Sequence, residues 1–425
     1  MVTPPEAPAP SATPNGSATG PSSSAAPRQP PKLLLRIYGP QASHLIDRET
    51  ELCILQRLAR QKIGPRLLGT FENGRFEEFF IARTLTKEDI RVPDTSRHIA
   101  KRLKELHEGI DLEPLERAQG PIAWKNWDKW VLRCSAVMAH VEPDPATTGP
   151  VARVCGSSWA DFRAHVDRYR RWLVQSHYGG DEALNRALVF AHNDAQYGNI
   201  LRLQAEGKSP LLLPSNEHRQ LVVIDFEYAS ANTPGFEFAN HFCEWMADYH
   251  DPAEPWRLRE RRYPTDAEMR NFLRAYVEHS LHCSGSSSND AGTEPQPFNL
   301  DVRLPAETIG RREQERRNEV ERQVDRLLAE TRAWRAASSA MWAAWGIVQA
   351  KVASAGPDSA PVDPASSASE ADGQAVDEEE EFDYLRYAQQ RALLFWGDCL
   401  SLGIFTPDEL EALEPGLVER AKIIM

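Results

Sequence analysis

The 425-residue chain is poor in cysteine and in basic charge, and each shortage narrows what it can be. Its six cysteines include no C-x-x-C pair, which argues against a disulfide framework or a thiolate zinc site. Lysine and arginine number 49 against 62 aspartates and glutamates. The resulting net charge of −13 makes a poor partner for nucleic acid or an anionic membrane. No local basic patch offsets it, because the arginine-rich stretch 311–326 alternates with glutamate and reads as a solvated helix face. Long apolar runs are also missing. Nothing approaches the roughly 18 residues that a membrane helix needs, so stable membrane insertion is not expected. The first residues carry neither the apolar core of a secretory signal nor the basic helix of a transit peptide. What is plentiful is core material: eleven tryptophans and 41% hydrophobic residues. The expectation is a soluble cytoplasmic protein of two or three domains at about 150 residues each.

Residues 1–31 are Pro/Ala/Ser/Gly-rich and read as a disordered tail. Ser/Gly/Pro-rich segments at 284–297 and 353–381, the second ending in the acidic block 377–381, read as insertions, with a shorter one at 204–220. Strands are expected at 33–38, 79–82, 188–191, 200–203 and 221–224. Helices are expected at 44–61, with Leu52, Leu55 and Ala59 inward, and at 95–110, with Ile99, Leu103, Leu106 and Ile110 on one stripe. Further helical patterns cover 124–140 and 159–177, and everything ordered after Pro234 looks helical. This α+β pattern divides into a small strand-bearing N-terminal lobe, 32–90, and a large helical C-terminal lobe, 91–425.

The informative stretch is Phe190-Ala191-His192-Asn193-Asp194-Ala195-Gln196-Tyr197-Gly198-Asn199-Ile200, followed by Val222-Val223-Ile224-Asp225-Phe226-Glu227-Tyr228. Phosphoryl transfer needs one carboxylate to accept the attacking hydroxyl's proton and oxygen ligands to hold magnesium against the phosphates. Asp194 fits the base, with Asn199 and Asp225 as ligands to Mg2+. A tight turn built from Asx residues is the plain alternative for His192, Asp194 and Asn199 alone. The strand ending in I-D-F at this separation and in this order points to chemistry.

The residues Ile224-Asp225-Phe226-Glu227-Tyr228, Asn240-His241-Phe242-Cys243-Glu244-Trp245-Met246 and Asp248-Tyr249 resemble the choline/ethanolamine kinase family. Leu33-Leu34-Leu35-Arg36-Ile37-Tyr38-Gly39-Pro40, Ile63-Gly64-Pro65, Asn73-Gly74-Arg75-Phe76-Glu77 and Phe382–Gln389 continue the likeness over most of 32–425. It implies a two-lobed, protein-kinase-like fold of the aminoglycoside-phosphotransferase type. It also implies ATP-dependent phosphorylation of choline, with action on ethanolamine, in the route to phosphatidylcholine, and a homodimer in many members. By the same resemblance Tyr228, Glu244, Trp245, Tyr249, Trp342, Trp345 and Tyr387 fall in the choline pocket. Aromatic faces suit a trimethylammonium group, which has no N–H to donate, at about 0.5–2 kcal/mol each. An ordinary aromatic core is the alternative for any one helix, and an inward-facing position is the alternative for Trp245, beside Glu244. Arg36 falls where a kinase places its phosphate-pairing cation, with Glu51 as its helix partner, Gln196 as a nucleotide contact and 78–84 as the adenine-side wall.

One departure stands out. Members carry a Ser/Gly-rich turn between two strands upstream of L-L-L-R, and here a Pro/Ser/Ala tail fills that place. An incomplete sequence and a silent pseudokinase or partner subunit both answer to it. An ethanolamine-preferring kinase is the alternative within the enzyme class. An aminoglycoside kinase would want a carboxylate-lined cleft instead, and a scaffold with an acidic interaction tail would make 377–381 a docking site.

Overall fold

In the computed structural model the described residues are 32–37, 48–61, 63–142, 153–204, 209–279, 306–350 and 382–424. The tail expected at 1–31 and the insertions at 284–297 and 353–381 lie outside them, as do residues 205–208. Strand β1 (Leu33–Ile37), helix α1 (Arg48–Arg60) and strands β2 (Leu67–Phe71) and β3 (Gly74–Glu78) make the small lobe. Its sheet is antiparallel in the order β1-β3-β2. The hairpin β2–β3 turns at Glu72-Asn73, one strand earlier than the expected strand at 79–82.

Register puts Arg36 of β1 directly opposite Arg75 of β3. Like charges facing across a ladder repel, so the pair requires counter-ions. Glu77, two residues from Arg75 and therefore on the same face, approaches both guanidinium groups, at 3.5 Å from Arg36. Glu51 lies 2.8 Å from Arg75. Helix α1 turns Ile54, Leu55 and Leu58 inward rather than Leu52 and Ala59, and Glu51 shares that face, which is why it is buried. The strand-to-helix ion pair expected of Arg36 is thus made by Arg75.

Strand β4 (Ala82–Thr84) leaves the small lobe and pairs with the large one. Helix α2 (Pro93–Gly109) follows, with Pro93 in its first turn and Ile99, Leu103, Leu106 and Ile110 all buried as expected. Helices α3 (Pro114–Ala118), α4 (Ile122–Val141), α5 (Trp159–Trp172) and α6 (Asp181–Arg186) lead to four short strands, β5 (Val189–Ala191), β6 (Ile200–Leu203), β7 (Leu221–Val223) and β8 (Ser230–Asn232). Their pairing is nested: β5 runs antiparallel to β8 and β6 to β7. The loop 192–199 and the loop 224–229 therefore hang side by side, each clamped at both ends.

The rest is helical: α7 (Pro234–Glu244), α8 (Asp266–Glu278), α9 (Ala306–Gln349), α10 (Tyr384–Ser401), α11 (Pro407–Leu413) and α12 (Leu417–Arg420). The arginine-rich stretch and the tryptophans Trp342 and Trp345 belong to one 44-residue helix, α9. Its residues 310–318 are solvent-exposed. Its second half carries Ala333, Ala336, Ala337, Ala340, Ala343 and Ala344, all buried, and these small side chains let α4, α7 and α10 close around it. At Gly346 a Cβ would come within 2.9 Å of the Tyr384 carbonyl, so the α9–α10 crossing requires glycine there. A separate core packs Ile54, Leu55 and Leu58 of α1 against Phe190, Val223 and Phe226, seating the small lobe on the strands that carry the two loops.

Arg75→Ala is expected to lower unfolding free energy by about 3–5 kcal/mol, read from urea denaturation, because it withdraws the cation from two buried carboxylates.

Candidate active site

The first loop begins where β5 ends, and its backbone is held from below. The Glu237 carboxylate on α7 accepts the His192 N–H at 2.6 Å and the Asn193 N–H at 3.1 Å. Burial works against charge on Glu237, yet His107, His192 and the Asn193 amide outweigh it and keep the carboxyl below its usual range. His107 Nε2 lies 3.5 Å from Glu237, and its Nδ1 lies 2.8 Å from the Tyr276 hydroxyl. Helices α2, α7 and α8 thus converge on this one carboxylate.

Asn193 and Asp225 are the only non-glycine residues with left-handed φ among the described residues, at 66° and 67°. Asn and Asp tolerate that conformation better than other side chains, and such residues concentrate at functional sites. The Asn193 side-chain amide donates to the carbonyls of Ala191 and Tyr228 at 3.1 and 3.0 Å, while its oxygen accepts from Asn232 at 2.8 Å. It therefore ties the two loops together. The Asp194 N–H donates to His192 Nδ1 at 3.2 Å, so His192 Nε2 carries the proton and donates to the Ile224 carbonyl at 2.9 Å. Burial keeps that imidazole neutral.

The Asn199 amide nitrogen donates to Asp194 Oδ2 at 2.8 Å and to the Asp194 carbonyl at 3.0 Å. This leaves the Asn199 amide oxygen as the group able to take a metal, and Asp194 Oδ1 as the oxygen able to meet a substrate hydroxyl. Asp225 lies two residues beyond β7 and accepts from Arg36 Nη1 at 3.3 Å, a charged link from small lobe to large. Burial lowers the Arg36 pKa, but Asp225 and Glu77 more than reverse this, so the cation persists. Asp194 moves the other way: burial, then Glu244, Glu227 and Asp225, push its carboxyl well above the carboxylate range. Four carboxyl groups thus share one region, which favours the arrival of cations.

Beside them lies a cluster of rings. Trp345 stands edge-on to Trp342 at 5.5 Å, to Tyr384 at 5.7 Å and to Tyr387 at 5.8 Å, and its indole N–H donates to the Tyr228 hydroxyl at 3.0 Å. Phe382 lies 5.8 Å from Tyr387 and 6.5 Å from Tyr249. The Tyr249 hydroxyl donates to Glu244 at 2.7 Å, and Arg391 donates to the other Glu244 oxygen at 2.6 Å. The charge of Asp194 is felt at Tyr228 and at Tyr387, so the rings and the carboxyl share one space.

The model of the choline/ethanolamine kinase family matches residues 19–396 of the chain. The chain belongs to that family. A choline kinase of Saccharomyces cerevisiae is 34% identical over 89% of this chain and 68% of its own length. One from Schizosaccharomyces pombe is 36% identical over 88% and 78%. An ethanolamine kinase of Saccharomyces cerevisiae is 29% identical over 89% and 68%. Among solved structures, a Plasmodium vivax ethanolamine kinase superposes with a TM-score of 0.56 at 19% identity, covering 88% of this chain and 77% of its own. A Cryptosporidium parvum choline kinase gives 0.56 at 20%, covering 89% and 85%. The fold is the two-lobed, protein-kinase-like one of this family.

Asn199 donates to Asp194, and Asp225 is close enough to raise the Asp194 pKa, so the structure brings these three residues into one neighbourhood. Gln196 is half-buried on the first loop, between Asp194 and Asn199. Tyr228, Trp342, Trp345, Tyr249 and Tyr387 gather in one cluster. Trp342 is the most core-like of the two tryptophans, 5% exposed with its N–H on Asn240 Oδ1 at 2.7 Å. Trp245 faces inward into a different core, under the Arg91 guanidinium at 4.8 Å. Glu244 is paired with Arg391 and 2% exposed, so its charge is spent on that cation and on orienting Tyr249 rather than aimed at a ligand. The expected adenine-side strand narrows to β4. Residues 1–31, where the phosphate-covering turn was sought, are not among those described. Sequence reasoning missed Glu237, Arg391, Tyr384 and Phe382. The single acid inside Pro234–Phe242 is the signal that could have found Glu237.

Asp194 carries a stability consequence. Aspartate titrates near 3.8 when unperturbed, and the folded chain holds Asp194 above that, so stability falls as pH rises through the interval between the two values. Asp194→Asn is therefore expected to raise Tm at pH 7 by about 2–4 °C, with the difference vanishing below pH 4, in thermal melts across pH.

Proposed function

We propose that the chain transfers the γ-phosphoryl group of ATP to the hydroxyl of choline, giving phosphocholine and ADP for phosphatidylcholine synthesis, with lesser action on ethanolamine. The observation that carries this reading is the Asp194 carboxyl, clamped through one oxygen by Asn199 and open through the other, beside a cage of aromatic faces. In the transfer, a bond forms between the choline oxygen and the γ-phosphorus, and the bond from that phosphorus to the β–γ bridging oxygen breaks. The hydroxyl proton passes to Asp194, whose raised pKa suits a group that must accept a proton near neutrality.

Asn199 and Asp225 are the residues that would hold Mg2+. The fit rests on the Asn199 amide oxygen left over by the hydrogen bonds to Asp194, on the left-handed backbone that turns Asp225 out of β7, and on the surplus of carboxyl groups around them. When bound, that ion supplies neutralisation of phosphate charge. Arg36 stands next to Asp225 as a second positive group on the nucleotide side, which supports its expected role with phosphate.

Trp345, Tyr387, Tyr249 and Tyr228 orient and dehydrate the trimethylammonium head. Ring faces attract a quaternary cation without hydrogen bonds, whereas a primary ammonium wants acceptors to replace its lost water. Glu227 and the tyrosine hydroxyls are the acceptors that would admit ethanolamine. The five described cysteines all carry free thiols, which suits a reducing compartment such as the cytoplasm.

ADP release with Mg-ATP and choline tests the reading. Turnover is expected from the wild type and a loss of at least about 1,000-fold from Asp194→Asn, with kcat/KM higher for choline than for ethanolamine. The reverse preference would make the chain an ethanolamine kinase, and choline binding without turnover would make it a silent subunit. Trp345→Ala is expected to raise KM for choline about 10-fold while leaving KM for ATP near its wild-type value, measured by steady-state kinetics.

A further inference from the structure

A second cluster of metal-ligating side chains lies on another part of the large lobe and has no part in the chemistry above. Glu105 comes from α2. His218 comes from the single turn Glu217–Gln220 that feeds directly into β7, and His279 caps the C-terminal end of α8. His218 Nε2 lies 3.0 Å from Glu105 Oε1, and His279 Nε2 lies 3.4 Å from the same oxygen. The three ligand atoms all fall within 4.8 Å of one another, and the two imidazole rings meet edge to face with centroids 4.9 Å apart.

We propose that Glu105, His218 and His279 bind one divalent cation of the imidazole-preferring class, with zinc the best fit. A tetrahedral zinc with bonds of about 2.0–2.2 Å keeps its ligand atoms roughly 3.3 Å apart. Both nitrogen-to-oxygen separations already bracket that spacing, so the ion replaces two N–H protons and needs only small side-chain rotations. Three protein ligands leave the fourth position to solvent. The carboxylate is held for this role. Arg102 takes Oε2, which turns Oε1 towards the two imidazoles, the kind of outer support that ligating carboxylates carry. Arg219 also approaches Oε1, at 3.8 Å, and its side chain is 45% exposed, so it can swing to water as the cation enters.

The donor set separates this ion from the one proposed at Asn199 and Asp225. Two imidazoles with one carboxylate suit zinc, whereas an amide and a carboxylate suit magnesium. The site would staple α2, α8 and the entry to β7, the strand that leads to Asp225.

The test uses the full chain, stripped with chelator and dialysed against micromolar Zn2+ in excess Mg2+, with bound metal quantified. One zinc per chain is expected. His279→Gln, at a helix end and partly exposed, is expected to weaken binding by more than about 100-fold while melting as the stripped wild type does. No retained zinc, or wild-type binding by His279→Gln, overturns the site, the second by placing the ion among the chain's other histidines. Should that variant not fold, Co2+ substitution of the wild type decides. An intense visible band of a four- or five-coordinate nitrogen-bearing site is expected, and the weak band of octahedral aquo-cobalt overturns the proposal.

Discussion

The Glu237 carboxylate accepts two consecutive backbone N–H groups of the loop 192–199 from inside the protein, and the geometry of the proposed site descends from that contact. Peptide N–H groups cannot be buried without partners, and the left-handed turn at Asn193 points two of them into the core. A carboxylate below them satisfies both, and its charge makes each bond stronger than a neutral one. Burying that charge would be costly by itself. His107 shares the cost, and through Tyr276 the link reaches α8, so three helices of the large lobe fix where His192 and Asn193 lie. Asn193 passes the constraint sideways to Tyr228 and Asn232, and His192 passes it to Ile224. Asp194 and Asp225, the proposed base and metal ligand, therefore take their places from one buried scaffold rather than from contacts with each other.

Charge in the cleft is arranged in the opposite spirit. Glu237 has its counterpart in His107, whereas the carboxyl groups of Glu244, Glu227 and Asp225 all press on Asp194. Arg36 serves Asp225 and Arg391 serves Glu244, and Asp194 is left with the hydrogen bonds from Asn199. An unfavourable electrostatic environment in the resting protein becomes favourable once a cationic substrate and a divalent ion are present. This is the usual bargain of a functional site, in which strain and repulsion persist because the surrounding packing overrides them.

Much of this was legible in the order of residues, and the remainder was not for physical reasons. The loop 190–200 and the strand ending at Asp225 announced themselves because their chemistry depends on local spacing. The helix 95–110 was readable because its stripe is periodic. Glu51 was misassigned because the α1 pattern admits two faces, and only the sheet register, with Arg36 opposite Arg75, shows which arginine the helix meets. Glu244 was read as an attractor for the ligand because its partner, Arg391, lies 147 positions away. The nesting of β5 with β8 and β6 with β7 was invisible for the same reason: strands of three or four residues carry too little pattern to declare their partners. The aromatic cluster was identified through family likeness, and the structure adds Tyr384 and Phe382 to it.

The nested strands bear on how such a chain can change over evolutionary time. The segment joining β6 to β7 leaves and re-enters beside the pairing of Arg202 with Leu221. Residues inserted between Leu203 and Ser209 enlarge a closed loop whose ends are already pinned, and doubling a loop's length costs only about 0.6 kcal/mol of closure entropy. Neither Asn199 nor Asp225 moves when that loop grows. Lineages are thus free to lengthen, shorten or decorate this connection while inheriting an unaltered reaction centre, whereas a single residue added inside β6 or β7 would turn every following side chain to the wrong face.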